Sequence, residues 1–300
     1  MPERRILFCR SGGGLPGLDI HVGIWQALSI NGVVATHCHG TSAGAIVSAM
    51  DSAGWSCLQA GKAVQQYTAE NLIDWRWLWR TRSLFIANVA RGKAMLRELD
   101  RLLPSQWEDY HKPISTWTVQ AGSCLKINSF RDTIAHSPEE AVAMSARIPA
   151  VFPPIQGVDR RWYIDGGLRN NLPLPPDWRE YDEVWLLIAS GLPSNTEPAA
   201  TVLGNALRVF RTLMADQILD VLEQVEGASN VHVIWPKLRT PSILEFDHSL
   251  ITQARNEAMA QISQAVGPSD GQTVPPSDCP AVPPPDRPTA PPSNRLPPSL

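Results

Sequence analysis

The sequence contains no run of about 18 apolar residues, so no helix of it is expected to cross a bilayer. Its start, "MPERRILFC", carries charges and meets the glycines at Gly12 before an apolar stretch of signal-peptide length can form, so no signal peptide is expected. Cytoplasmic residence is the expectation from these two absences. The five cysteines, Cys9, Cys38, Cys57, Cys124 and Cys279, are scattered and odd in number, without a Cys-x-x-Cys pair or the Cys/His spacing of a zinc site. Buried thiols in a reducing compartment fit that pattern better than a disulfide framework. Positive charge is short as well: a formal net charge of −3 excludes a globally basic nucleic-acid binder. No metal, cofactor or nucleic acid is therefore expected as a partner.

What is present is enough for a core, since 43% of the 300 residues are hydrophobic. The composition changes at Gly267. From there to Leu300, 12 of the 34 residues are proline and large apolar side chains almost vanish, which predicts a disordered, partly polyproline II tail. Its proline clusters suit an SH3-like partner, although a plain solvated tail is the simpler reading. The folded unit is expected over 1–266. Within it, "RILFC" (5–9), "GVVATHC" (32–38), "ISTWTVQA" (114–121), "EVWLLIA" (183–189) and "VHVIW" (231–235) read as strands. Helices are expected near 17–30, 42–54, 57–71, 93–103, 138–147, 200–224 and 248–265. This alternation predicts an α/β fold with a largely parallel central sheet flanked by helices, whose sites gather at the carboxyl ends of the strands.

Two glycine motifs come after the first two strands. "FCRSGGGLPGLDIHVG", residues 8–23, satisfies Gly-x-Gly-x-x-Gly through Gly12, Gly14 and Gly17 between a strand and a helix. A dinucleotide site also needs an acid at the end of the next strand, and nothing acidic lies between Asp19 and Asp51. A P-loop would need Gly-Lys-Ser/Thr, which is absent. The second strand instead runs into Gly40-Thr41-Ser42-Ala43-Gly44, a Gly-x-Ser-x-Gly before the small-residue helix "AGAIVSAM". A sharp strand-to-helix turn needs glycines on both sides, and it would expose Ser42 as a nucleophile over the positive end of that helix; the alternative is a serine that merely caps it. Acyl chemistry at Ser42 generates an oxyanion, and the amides of Gly12, Gly13 and Gly14 can aim into one concavity to meet it.

A serine nucleophile needs a base. "RWYIDGGLRNNLPL", residues 161–174, places Asp165 after a short apolar strand and before two glycines. Asp165 with His232 or His248 would nominally complete a Ser-Asp-His triad, and Asp165 alone would make a dyad. With Gly12-Gly13-Gly14, the Gly-x-Ser-x-Gly at 40–44 and Asp165-Gly166-Gly167 in this order, the chain resembles a patatin-like phospholipase. "MSARIPAVFPPI" (144–155) and "NNLPL" (170–174) are similar to the family's stretches around the aspartate, and the likeness covers most of residues 5–190. The resemblance implies a lipid acyl hydrolase with a Ser42-Asp165 dyad and a Gly12–Gly14 oxyanion loop, without cofactor or metal. One position departs: where the family's loop commonly carries Arg or Lys, this chain has Pro16, which leaves a non-catalytic lipid-binding or scaffolding protein as the alternative, beside a carboxylesterase or acyltransferase.

A lipid hydrolase must reach an interface. "NLIDWRWLWRTRSLFIAN", residues 71–88, interleaves Trp75, Trp77 and Trp79 with Arg76 and continues to Arg80, a combination that suits the headgroup layer. Peripheral membrane contact through Trp75, Trp77, Trp79 and Arg80 is one expectation; an element packing one aromatic face on the core is the other. His37 and His39 flank Cys38 without a third metal ligand at useful spacing, and His39 is expected to shape the turn.

Overall fold

The computed structural model describes residues 4–73, 90, 92–123, 125–129, 134–190, 201–240 and 242–266. Trp75, Trp77, Trp79 and Arg80, and the tail 267–300, lie outside the described residues, as do Cys124 and Cys279. The chain forms one eight-stranded sheet: β1 Ile6–Arg10, β2 His37–Thr41, β3 Ile114–Gln120, β4 Lys126–Asn128, β5 Ile155–Gln156, β6 Trp162–Asp165, β7 Glu183–Leu187 and β8 Val231–Ile234. The order is β5-β6-β3-β2-β1-β7-β8, with β4 paired to β3. The five strands β3-β2-β1-β7-β8 run parallel, whereas β4, β5 and β6 are antiparallel to their neighbours. The sheet is therefore largely parallel with an antiparallel end, and that end carries Asp165.

Helices cover it: α1 Gly14–Ile30, α2 Ala43–Ser52, α3 Cys57–Val64, α4 Ala69–Leu72, α5 Lys93–Leu102, α6 Pro138–Ser145, α7 Val202–Gln224 and α8 Ser249–Val266. α1 is buried over nearly all of its surface, as a central helix must be when it packs between other elements. Pro16 lies in its first turn, where a missing N–H leaves no intrahelical bond unmade. The expected helix 57–71 is two helices. Thr68 opens α4 by donating its amide to Asn71 Oδ1 at 2.8 Å, an arrangement that ends the periodic run after Val64. Among the described residues, no helix is long and apolar enough to span a membrane.

The second strand starts later than its apolar pattern predicts. "GVV" leaves the Gly32 turn as irregular chain with Val34 58% exposed, and pairing begins at His37. β2 is polar because its register is dictated by the elbow at its end: it pairs Arg10 with Gly40 and Gly40 with Thr116, delivering Thr41 and Ser42 to the carboxyl edge of the sheet. Below that edge, the fully buried Arg10 meets Asp51 at 2.6 Å, and Lys112 reaches the other carboxylate oxygen at 2.6 Å. Burial works against the Asp51 carboxylate, but the two cations hold it below its usual range. The described thiols Cys9, Cys38 and Cys57 are buried, and burial pushes Cys38 up to about 11.

Candidate active site

Ser42 links β2 to α2 with φ 53° and ψ −121°, a conformation that side-chain-bearing residues seldom adopt and that costs about 1–3 kcal/mol. The surroundings impose it. The Ser42 amide donates to Ser145 Oγ at 3.0 Å, and Ser145 donates onward to the Trp117 carbonyl at 2.5 Å. On the other side, a Cβ on Gly44 would strike the carbonyl oxygens of Arg10 and Ser11, so β1 and the start of α2 approach as closely as only glycine permits. Ser42 is 3% exposed and sits at the N-terminus of α2.

Asp165 ends β6, with Thr118 of β3 as its register partner. Its amide donates to the Arg147 carbonyl at 3.1 Å, and its Oδ1 accepts from the Gly167 amide at 2.7 Å, capping the short turn Gly166–Leu168. The turn is pressed against the elbow: a Cβ on Gly166 would lie 3.1 Å from Thr41 Cγ2, and Thr41 Oγ1 donates to the Asn170 carbonyl at 2.7 Å. The carboxyl is fully buried and Oδ2 has no hydrogen-bond partner among the described residues. Desolvation pushes its pKa up to about 7, against the opposing pull of the Gly167 amide and the Ser42 hydroxyl. A carboxyl titrating there is a usable base at neutral pH, which an ordinary aspartate is not.

The glycine loop closes the third side. A Cβ on Gly12 would lie 3.3 Å from Ser42 Cβ and 3.0 Å from Met214 Cε, so the loop runs directly beside the serine. Its path is fixed from several directions. His21 Nε2 bonds the Ser11 carbonyl at 2.7 Å, Ser11 Oγ accepts from Ala189, and the Leu15 amide donates to the Ile243 carbonyl at 2.8 Å. Burial holds His21 down at about 3, so the imidazole is neutral and Nε2 carries the donated proton. The Gly12 amide is already committed, to Asn171 through both Oδ1 and the carbonyl oxygen at 3.0 Å each. Of the three glycines expected to point amides at an oxyanion, Gly12 is thus spent on positioning the loop. Gly13 and Gly14 have no acceptor among the described residues, and Gly14 takes φ +65°.

Sequence reasoning missed Asn171, Ser145 and His21, because each acts on an element far away in the chain and none lies in a recognisable pattern. It missed one cation as well. Arg211 of α7 lines a cavity of about 10 Å³ with Gly13, Ala189, Met214 and Ile243, and burial lowers its pKa. Above the site, α7 turns Phe210 toward Gly167 and Met214 toward Gly12, so the walls over the serine are apolar.

The histidines are engaged elsewhere. His232 stacks on Trp185 with centroids 4.4 Å apart. His248 bridges Asp19 at 2.8 Å and the Tyr67 carbonyl at 3.0 Å, tying the start of α8 to α1 and to the turn after α3. His39 lies on the β2 face toward Trp117 rather than at the elbow. His248→Ala is accordingly expected to leave ester hydrolysis within about twofold while costing about 1–3 kcal/mol in urea unfolding, since it strands buried Asp19. Loss of hydrolysis without loss of stability would restore the triad.

The model of the patatin-like phospholipase family matches residues 8–178. An uncharacterized NTE family protein of Mycobacterium tuberculosis is 32% identical over 171 residues, 54% of this chain and 26% of its own length, and a counterpart in Mycobacterium bovis matches equally. The chain spans about a quarter of the length of these curated relatives. Among solved structures, VipD from Legionella pneumophila superposes with a TM-score of 0.50 at 14% identity, covering 88% of this chain and 67% of that one, a likeness of fold. A family match over more than half of its length, containing both the serine elbow and the aspartate turn, establishes that the chain belongs to the patatin-like phospholipase family.

Proposed function

We propose that this chain is a lipid acyl hydrolase that cleaves carboxylic esters through a Ser42 acyl-enzyme, with Asp165 as the base. The observation that carries the reading is the meeting of a strained serine and a fully buried, half-neutral carboxyl beside loop amides without an acceptor among the described residues. Ser42 Oγ attacks the ester carbonyl carbon as its proton passes to Asp165. The resulting oxyanion is met by the Gly13 and Gly14 amides and by the first amide of α2, on Ala43. Collapse breaks the bond to the alcohol, which leaves with the proton from Asp165. Water then gives a proton to Asp165 and attacks the acyl carbon; collapse breaks the bond to Ser42 Oγ, which takes the proton back from Asp165 as the fatty acid leaves.

The apolar walls from Phe210 and Met214 suit an acyl chain, and the substrate class is the acyl ester of a phospholipid or neutral glycerolipid. Peripheral contact with membranes belongs to the same reading, since such esters lie at an interface. A fluorophosphonate probe tests it: the wild-type chain is expected to take up one label per molecule at Ser42 and to release fatty acid from phosphatidylcholine or diacylglycerol. An unlabelled serine in folded protein would point instead to a lipid-binding relative without turnover.

A further inference from the structure

The two faces of β2 carry different chemistry. Gly40 packs against the start of α2, where a Cβ on it would strike the Gly44 carbonyl, so by strand alternation His39 and Thr41 project from the opposite face. Trp117 of β3 is the register partner of Thr41, and its ring centroid lies 6.4 Å from that of His39. Parallel strands are normally covered on both faces. Here the face opposite α2 opens into a cavity of about 310 Å³, within the range of about 300–1,000 Å³ typical of small-molecule sites. His39 and Trp117 line it from the sheet, and the segment Pro175–Asp177 and Tyr181 complete its wall.

The charges lining this cavity are of opposite sign. Lys126 of β4 and Asp177 both line it and are exposed, while Asn128, two residues after the lysine, is buried and donates to Ser115 Oγ at 2.9 Å. Burial first, and the Asp177 carboxylate second, push the Tyr181 hydroxyl above its ordinary pKa, which puts that carboxylate close to the tyrosine. An anion in the cavity gains from Lys126 and is opposed by Asp177; a cation gains from Asp177 and is opposed by Lys126. A zwitterion gains from both. The aromatic rings of Trp117 and Tyr181 among the lining groups suit the methyl groups of a quaternary ammonium.

We propose that this cavity binds a zwitterionic headgroup of the phosphocholine type, with the phosphate toward Lys126 and the ammonium toward Asp177 and the aromatic wall. The charge pattern selects a zwitterion; the choice of phosphocholine among zwitterions rests on the proposed lipid substrate. The site adjoins the supports of the reaction centre. The Trp117 carbonyl accepts from Ser145, which holds the Ser42 amide, and Pro175 comes four residues after Asn171, which holds the Gly12 amide. Headgroup recognition and ester cleavage are thereby built on the same two segments.

The test reads binding in the full chain carrying Ser42→Ala, and fatty-acid release separately in the wild type. Phosphocholine is expected to raise Tm by about 5 °C at roughly a hundred times its Kd, and to bind at least about tenfold more tightly than choline or inorganic phosphate alone. Asp177→Asn is expected to weaken phosphocholine about tenfold without weakening phosphate, and Lys126→Met to weaken it about tenfold without weakening choline. Both side chains are exposed and Asp177 makes no side-chain cap bond, so these variants should fold. Dihexanoylphosphatidylcholine separates the sources: tighter binding than phosphocholine, with the same dependence on Lys126 and Asp177, assigns a lipid headgroup, and equal binding assigns the free zwitterion. No shift with either ligand, a shift undiminished in both variants, or choline or phosphate binding as tightly as phosphocholine overturns the site. Binding without hydrolysis would sink the hydrolase and keep the site; hydrolysis without binding would do the reverse.

Discussion

Ser42→Ala is expected to reduce ester hydrolysis by about 10⁴- to 10⁶-fold, the loss incurred when a covalent route is removed and only binding and oxyanion contacts remain. The measurement is fatty-acid release from short-chain phosphatidylcholine by purified, folded protein. Stability supplies a second readout. Alanine keeps a Cβ at φ 53° and retains the strain, whereas Ser42→Gly relieves it and is expected to stabilise the chain by about 1 kcal/mol in urea unfolding. The two variants should be equally inactive and unequally stable. That combination would show the elbow to be strained for the sake of the hydroxyl it presents. Hydrolysis in Ser42→Ala above about one per cent of wild type would mean that another group performs the attack.

Much of this site was legible because glycine is legible. Gly40 and Gly44 bracket Ser42, and Gly166 comes after Asp165; each marks a place where backbones nearly touch, which no other residue allows. The parallel strands were readable from their apolar runs, since a strand buried on both faces needs no alternation. β2 was misplaced for the same reason. Its apolar lead "GVV" sits outside the sheet, while the paired residues include the polar His37, His39 and Thr41, which leave no apolar run to read. The antiparallel β4 and β5, of three and two residues, are too short to show a period. The supports of the site were hidden by distance. Asn171 bonds the Gly12 amide 159 positions away, and Ser145 holds the Ser42 amide across 103. Neither separation leaves a local trace.

Asp165→Asn is expected to lower kcat/KM by about 10⁴-fold at neutral pH, because the side chain keeps its shape and loses its basicity. Asn Oδ1 can still accept from the Gly167 amide, but the amide nitrogen in place of Oδ2 can only donate toward Ser42. The wild-type rate should rise tenfold per pH unit below about 7 and level above it, tracking ionisation of the buried carboxyl. Stability should move the opposite way. The folded state binds the Asp165 proton more tightly than the unfolded chain does, so this contribution is fully present below the unfolded value of about 3.9 and is lost as pH rises through 7. Above that range, the burial of a charged carboxylate costs on the order of 4 kcal/mol, which the asparagine variant avoids. Urea unfolding of both proteins at pH 4 and pH 8 should therefore show Asp165→Asn gaining stability relative to wild type only at the higher pH. An equal difference at both would mean that the carboxyl is ionised throughout, and with it the claim that burial tunes this base would fall. The same desolvation that makes Asp165 costly to the fold at pH 8 is what brings its proton affinity into the range that the proposed mechanism requires of its base.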